Sequence, residues 1–317
     1  MRRAAAAAVA GIVVVAAAVA TSSSTNGSRL PSAKKCPIFP RSSHWNKRVD
    51  RLPVHPRSAA IVRSIGADES LHPDFGAGFY EGARIGIPYH VISRPARRVR
   101  FNFEYADESD RVRYPLPRRV RIEGGPRSDG DRHVIVVDRR RCRLYELYRF
   151  FRPARRGGRH RAGSGAVWNL RSNRLRPRGW TSADAAGLPI FPGLARHYEV
   201  KRGRIDHALR MTVPESRRAF IYPARHFASD DRNPNLPAMG QRLRLRRGFD
   251  ISRFPRQARI ILRALKRYGL IVADNGSPWF ITGVPSRGWD NDQLNTLKSV
   301  GGANFEVVDT RFLRKPR

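Results

Sequence analysis

The chain has 317 residues, with 62 Lys plus Arg against 26 Asp plus Glu and a formal charge of +36. Hydrophobic residues make up 40% and charged residues 28%, enough apolar side chain for a sizeable core. These figures exclude a collagen-like chain, a coiled-coil rod, a Cys-rich mini-scaffold and a multi-span membrane protein.

Met1-Arg2-Arg3 is a short basic start, followed by an unbroken run of Ala, Val, Gly and Ile to Ala20, then by Thr21 and three Ser. Ala18-Val19-Ala20 supplies the small-x-small pattern of a cleavage site, so residues 1–20 read as a signal peptide. The alternative is an uncleaved single-span anchor, because the run reaches the lower edge of spanning length. That segment is then the chain's single contact with a membrane. Either reading places the folded part outside the cytoplasm: secreted, associated with the cell wall, or anchored at its N-terminus. Residues 21–35 form a Ser-rich linker, and residues 36–317 read as one β-rich domain. Cys36 and Cys142 are two cysteines in an exported chain, which favours one disulfide between the N-terminal segment and a central strand. Two unrelated buried thiols are the other option.

Strands dominate the body. Tyr89 and its neighbours (87–92), Val99 to Tyr105, His133 to Asp138 and Leu144 to Tyr148 are the first candidates. In the second of these, Val99, Phe101, Phe103 and Tyr105 alternate with Arg100, Asn102 and Glu104, the period of a half-buried strand. The third is a continuous apolar run and forms a hairpin with the fourth. Later candidates lie at 166–170, 208–213, 219–222, 243–245, 279–282 and 305–308. One segment is plainly helical: from Pro255 to Tyr268 the residues Ala258, Ile261, Leu262, Leu265 and Tyr268 fall on one stripe, and Gly269 follows as a stop. Shorter helices are expected at 58–65 and at 291–299, the latter capped by Asp290. The expected fold is mainly β, a sandwich or barrel-like core carrying one long amphipathic helix and a few short ones.

Of the 62 basic residues 55 are Arg, scattered without a block. A nucleic-acid face concentrates its cations and interleaves aromatics, so no specific nucleic-acid partner is expected. The charge implies a solvated surface with non-specific affinity for polyanions.

Acidic residues are scarce, so those beside imidazoles and aromatics stand out. His72 and Asp74 are two apart in an extended segment and project to one side. They suit an acid–base pair, a pair of ligands, or a simple turn. Asp131 and His133 repeat that spacing at the mouth of a buried strand. The cluster Asp107, Glu108 and Asp110 lacks the glycine and distal Glu of a calcium loop and suits ion pairing with Arg. Trp180 to Pro189 gathers an indole, hydroxyls and Asp184 before Pro/Gly turns, the materials of a sugar-binding cleft or of a capped turn. Asp206 and His207 precede an apolar strand, His226 follows an aromatic one, and Asp274-Asn275-Gly276 reads as a turn. Ser164 lies in Gly-Ser-Gly, not in a nucleophile elbow.

Taken together, the segments LHPDFG (71–76), YADESD (105–110), GDRH (130–133), WTSADAAGLP (180–189), IDHAL (205–209) and ADNGS (273–277) carry a resemblance. The chain resembles a family of exported bacterial and fungal proteins without assigned activity, along nearly all of its length after the signal. The resemblance implies export and a single domain, and no reaction.

The residues themselves point to a glycan-acting hydrolase or lyase. Its acid–base groups are drawn from Asp184, Asp206, His207 and His226, and its substrate contacts are His72, Asp74 and Trp180. No cofactor is expected, and the partner is a polysaccharide or other cell-wall polymer. The competing expectation is a non-catalytic surface protein that binds cell-wall or anionic polymers. A metal-dependent hydrolase using His72, Asp74, Asp131 and His133 ranks third.

Overall fold

The computed structural model describes residues 28–155 and 158–313. The signal segment and part of the linker lie outside the described residues. Two sheets carry the architecture. The chain enters them through β1 (His72–Asp74), β2 (Tyr89–Ile92), β3 (Val134–Asp138), β4 (Arg143–Tyr148) and β5 (Ser164–Asn169). It continues through β6 (Leu209–Val213), β7 (Arg242–Leu245), β8 (Leu270–Asn275), β9 (Phe280–Thr282) and β10 (Phe305–Val307). The six-stranded sheet has the order β1-β9-β6-β8-β7-β10, and the four-stranded sheet β5-β4-β3-β2.

The fold is mainly β, as the punctuated strand pattern implies. One sheet is curled into a half-barrel, and the pairing does not show a sandwich, whose sheets are antiparallel. Here β1 runs parallel to β9, β6 to β8, and β2 to β3. Such mixed pairing needs long connections between parallel neighbours, and these connections carry most of the chain's irregular structure.

Strand β3 explains its own composition. Ile135 and Val137 pack into one apolar cluster with Leu144, Ala166 and Phe191. Val134 and Val136 pack into another with Tyr145, Leu147 and Tyr114. Both faces are buried, so the strand is continuously apolar where a half-buried one alternates. The alternation from Val99 to Tyr105 does not form one strand. It breaks at Arg100 into Arg97–Val99, paired with Tyr114–Leu116, and Phe101–Phe103, paired with His160–Ala162. Tyr105 is 48% exposed. Two ladders with different partners satisfy the backbone there, which a period-2 pattern cannot distinguish from one.

The helices are α1 (Ser58–Ile65), α2 (His197–Lys201), α3 (Arg256–Arg267) and α4 (Asn291–Asn295). The stripe at 255–268 folds as α3, with Ala258, Ile261, Leu262 and Leu265 buried against the six-stranded sheet. Each such aliphatic residue contributes roughly 1.5–3 kcal/mol of burial. At 12 residues the helix is of ordinary length and not the long helix expected. Gly269 ends it at φ +69°, where a Cβ would stand 2.0 Å from the Leu243 carbonyl oxygen. Only glycine lets the chain turn that close to β7.

Cys36 and Cys142 form a disulfide between positions 106 apart, and both sulfurs sit in the apolar cluster beneath the four-stranded sheet. Among the described residues no helix is long and apolar enough to cross a membrane. The arginines are not all solvated: Arg132, Arg176, Arg196, Arg210, Arg242 and Arg244 are buried. A buried guanidinium must be spent on acceptors, and where these cations go decides where the carboxylates are.

Candidate active site

The loop 181–188 lies between the two sheets and is pinned to both. From the four-stranded sheet, the Ser164 hydroxyl donates to the Ser182 carbonyl. From the six-stranded sheet, the Ala273 carbonyl accepts the Ala186 N–H at 2.9 Å. The loop reverses at Gly187, φ +69°, where a Cβ would meet the Trp180 carbonyl oxygen at 2.5 Å. Together with the ends of β4, β5 and β8, the loop lines a cavity of about 320 Å³ that also takes in Glu108, Asp131 and His226.

Asp184 is fully buried at the wall of this cavity, and Arg210 on β6 grips it with Nε at 3.0 Å and Nη2 at 2.6 Å. The remaining Nη1 donates to Thr282 Oγ1 on β9 at 2.9 Å. This bidentate pair cancels both charges and uses the guanidinium's directional donors. Asp274, near the end of β8, is left beside it. Its carboxylate lies 4.0 Å from the same guanidinium, without a hydrogen bond to it. Burial first, and then the neighbouring Asp184 carboxylate, push the Asp274 carboxyl up to about 7. Its side chain remains 26% exposed, so this acid is open to a ligand in the cavity.

One residue joins Asp274 to an imidazole. The Ala185 N–H donates to Asp274 Oδ2 at 3.4 Å, and the Ala185 carbonyl accepts from His226 Nδ1 at 2.8 Å. A carbonyl can only accept, so Nδ1 carries a proton, and in the neutral ring the Nε2 lone pair is the basic one. Nε2 stands 3.8 Å from Glu108 Oε2, beyond direct hydrogen-bond range. Glu108 is itself held by the Thr181 N–H at 2.7 Å. The arrangement therefore offers a proton-carrying carboxyl and an imidazole, fixed by the N–H and the carbonyl of one residue, with the Glu108 carboxyl behind the imidazole.

A second ionic group lies beside the first. His133 Nδ1 bonds Glu123 at 2.5 Å, and Nε2 bonds the Ala183 carbonyl at 2.8 Å. Both partners are acceptors, so the ring is an imidazolium. Burial alone would lower the His133 pKa, but the Glu123 carboxylate more than offsets it and carries it to about 9. Glu123, Asp131 and His133 could together hold a metal ion, with ligand atoms within 4.8 Å of one another. Binding there would first have to open the Glu123–His133 pair, since both ring nitrogens are already engaged.

These pairs make stability depend on pH with a definite sign. Glu146 is buried and accepts the Ile190 and Phe191 N–H groups, yet burial raises it to about 7. A carboxyl or imidazole raised by folding stabilises below its unfolded pKa and loses that contribution as pH climbs through the folded one. Glu146 and Asp274 act between about 4 and 7, and His133 between about 6.5 and 9. Below about pH 7, His44 and His90, lowered by burial to about 3 and about 4, act with the opposite sign, so it is between about 7 and 9 that the unfolding free energy, measured by denaturant titration, is expected to fall with rising pH. The double variant Glu123→Gln, His133→Gln is expected to flatten the upper part of the slope.

Of the residues singled out in the sequence, Asp184 and His226 meet at this cavity. Trp180 is one residue outside its lining, with the Arg176 guanidinium 5.4 Å from its ring. Asp206 and His207 do not join the cavity. Asp206 is held near the surface by Arg202 and Arg204, at 3.2 and 2.9 Å. His207 is buried against Glu199 and Arg196 beside α2. Adjacent residues here turn to opposite surroundings, so the pair serves two separate ion clusters. His72 stacks on Phe280 at 4.0 Å across the β1–β9 register and stands apart from the Glu123, Asp131 and His133 group. Asp74 lines a neighbouring cavity with Glu123. Burial and the Glu123 carboxylate raise its pKa.

Comparison with known proteins adds no relative: no family model, no curated protein and no solved structure matches the chain. The chemistry must be argued from the cavity alone. Of the other participants, Asp274 reads in the sequence as a turn residue and Glu108 as an ion-pairing one, and Arg210 was passed over. A cation at Arg210 between the apolar Leu209 and Met211 was the available signal, because a buried guanidinium requires an acid partner.

Proposed function

We propose that the chain is an exported enzyme that cleaves a polysaccharide by acid–base chemistry in the 181–188 cavity. The observation that carries this reading is the Ala185 backbone, whose N–H donates to Asp274 and whose carbonyl accepts from His226. Asp274 protonates the leaving glycosidic oxygen, and His226 Nε2 takes a proton, from water in hydrolysis or from a sugar carbon in elimination. The Asp184–Arg210 pair is a positioning element: it fixes Asp184 beside Asp274, where burial first and then the Asp184 carboxylate, only partly offset by Arg210, keep the Asp274 carboxyl protonated near neutrality. Export is supported by the hydrophobic start of the sequence and by the Cys36–Cys142 disulfide, which belongs to an oxidising compartment.

The test is a panel of purified polysaccharides screened for new reducing ends, wild type against His226→Gln. The wild type is expected to release ends from at least one polymer, and His226→Gln to do so about 10²–10⁴-fold more slowly. Ultraviolet absorbance of an unsaturated product separates elimination from hydrolysis. Release unchanged by the substitution would remove His226 from the reaction.

A further inference from the structure

A second region of the surface has the opposite electrostatic character. Along β2 and the segment 116–122 lie two cavities of about 550 and 810 Å³. Both are lined by Val91 and Val120, so they are consecutive parts of one groove. The first holds Arg94, Arg97, Arg118, Arg152 and His160, the second Arg84, Arg121, His197 and Arg196, the last already paired with Glu199, and no Asp or Glu lines either. A cavity elsewhere holds Asp184 and Asp274; another, with Asp74 and Glu123, adjoins the far end of the second cavity across Gly82, Ala83, Arg84, Gly125 and Pro126, so the cationic stretch is the part around Arg94, Arg97, Arg118 and Arg152.

Unpaired arginines are expected in a chain with 62 basic and 26 acidic residues, and by themselves would mean nothing. What distinguishes this groove is concentration and surroundings. Arg94, Arg97, Arg118 and Arg152 have no carboxylate partner among the described residues, and partial burial, then the charges of Arg97 and Arg152, lower the His160 pKa. The floor between them is apolar, from Val91, Val99, Leu116 and Val120, with Tyr89 further along. Like charges gathered around an apolar floor repel one another until an anion screens them. Apolar and aromatic surface matches the faces of sugar rings.

We propose that this groove binds an extended segment of an acidic polysaccharide, its carboxylate, sulfate or phosphate groups on the four arginines and its ring faces on the apolar floor. Two consecutive cavities suit a chain better than a single small anion. The disulfide, which places the protein in an oxidising compartment, favours a glycan over nucleic acid as the polymer encountered. Neither Asp274 nor His226 lines the groove, so this proposal does not rest on the acid–base reading.

Calorimetric titration of the whole protein with polygalacturonate fragments tests it. Affinity is expected to fall about tenfold or more between about 50 and 200 mM NaCl. At low salt, replacing Arg94, Arg97, Arg118 and Arg152 by Gln should weaken binding about tenfold or more. Replacing the exposed Arg63, Arg171, Arg174 and Arg263 by Gln, the same loss of charge elsewhere, should weaken it less than about twofold. All four groove arginines are exposed, so the fold should survive. Should it not, Arg118→Glu alone is expected to weaken binding about fivefold and decides the matter. Equal losses in the groove and control variants would overturn the proposal, leaving only attraction by net charge. So would absence of binding, binding of a neutral glucan as tight as the acidic one, or tighter binding of single-stranded oligothymidylate.

Discussion

Replacing Arg210 with Met is expected to lower the unfolding free energy by about 3–5 kcal/mol. Arg210 and Asp184 are both almost wholly buried, and the guanidinium supplies two of the hydrogen bonds to that carboxylate. Removing the cation leaves Asp184 as an uncompensated charge beside Asp274. The carboxyls then share protons, and the local structure must admit water or shift. The double variant Arg210→Met, Asp184→Leu removes both charges and should recover most of the loss, because an apolar pair of similar volume is often as stable as a buried ion pair. Equilibrium denaturation of the two variants measures both effects. A loss below about 1 kcal/mol for the single variant would mean that Asp184 is neutral or hydrated in the native protein.

Asp274→Asn is expected to reduce turnover of the substrate found by polysaccharide screening about 10²–10⁴-fold, with stability unchanged or slightly raised. Asn keeps the shape and, with its oxygen at the Oδ1 position, the acceptor for the Asn275 N–H at 2.8 Å; it gives up only the longer 3.4 Å bond from the Ala185 N–H, which Oδ2 accepts. It cannot deliver the proton, and it removes the charge that burial and Asp184 disfavour. The pH profile supplies a second readout. With Asp274 as the acid, wild-type kcat/KM falls as pH rises through about 7, and the variant's residual activity loses that limb. Activity within tenfold of wild type, with the limb intact, would assign the proton to another group.

The fold was readable where one local signal settles structure. The stripe at 255–268 gave α3, the run at 133–138 gave a strand buried on both faces, and Asp290 caps the helix it precedes. Sheet order was not readable, because parallel neighbours such as β6 and β8 are joined through about sixty residues that carry another strand and a helix. The site was half readable. Asp184 and His226 stood out as acid and imidazole in unusual contexts. Asp274, in Asp-Asn-Gly, carries a turn signal, and nothing local raises its pKa. That effect comes from Asp184, ninety positions earlier, and from burial that only the assembled sheets create. Asp206 and His207 stood out as an acid and an imidazole beside an apolar strand, and each does have a charged partner, but on different segments away from the cavity.

Asp274, a carboxyl facing the cavity, is expected to keep its proton near neutral pH. Carbon-13 NMR titration of the side-chain carboxyls, with the Asp274 resonance identified by its loss in Asp274→Asn, measures this directly. The account predicts a midpoint near 7 for that resonance. A midpoint near 4, the ordinary value for Asp, would contradict it.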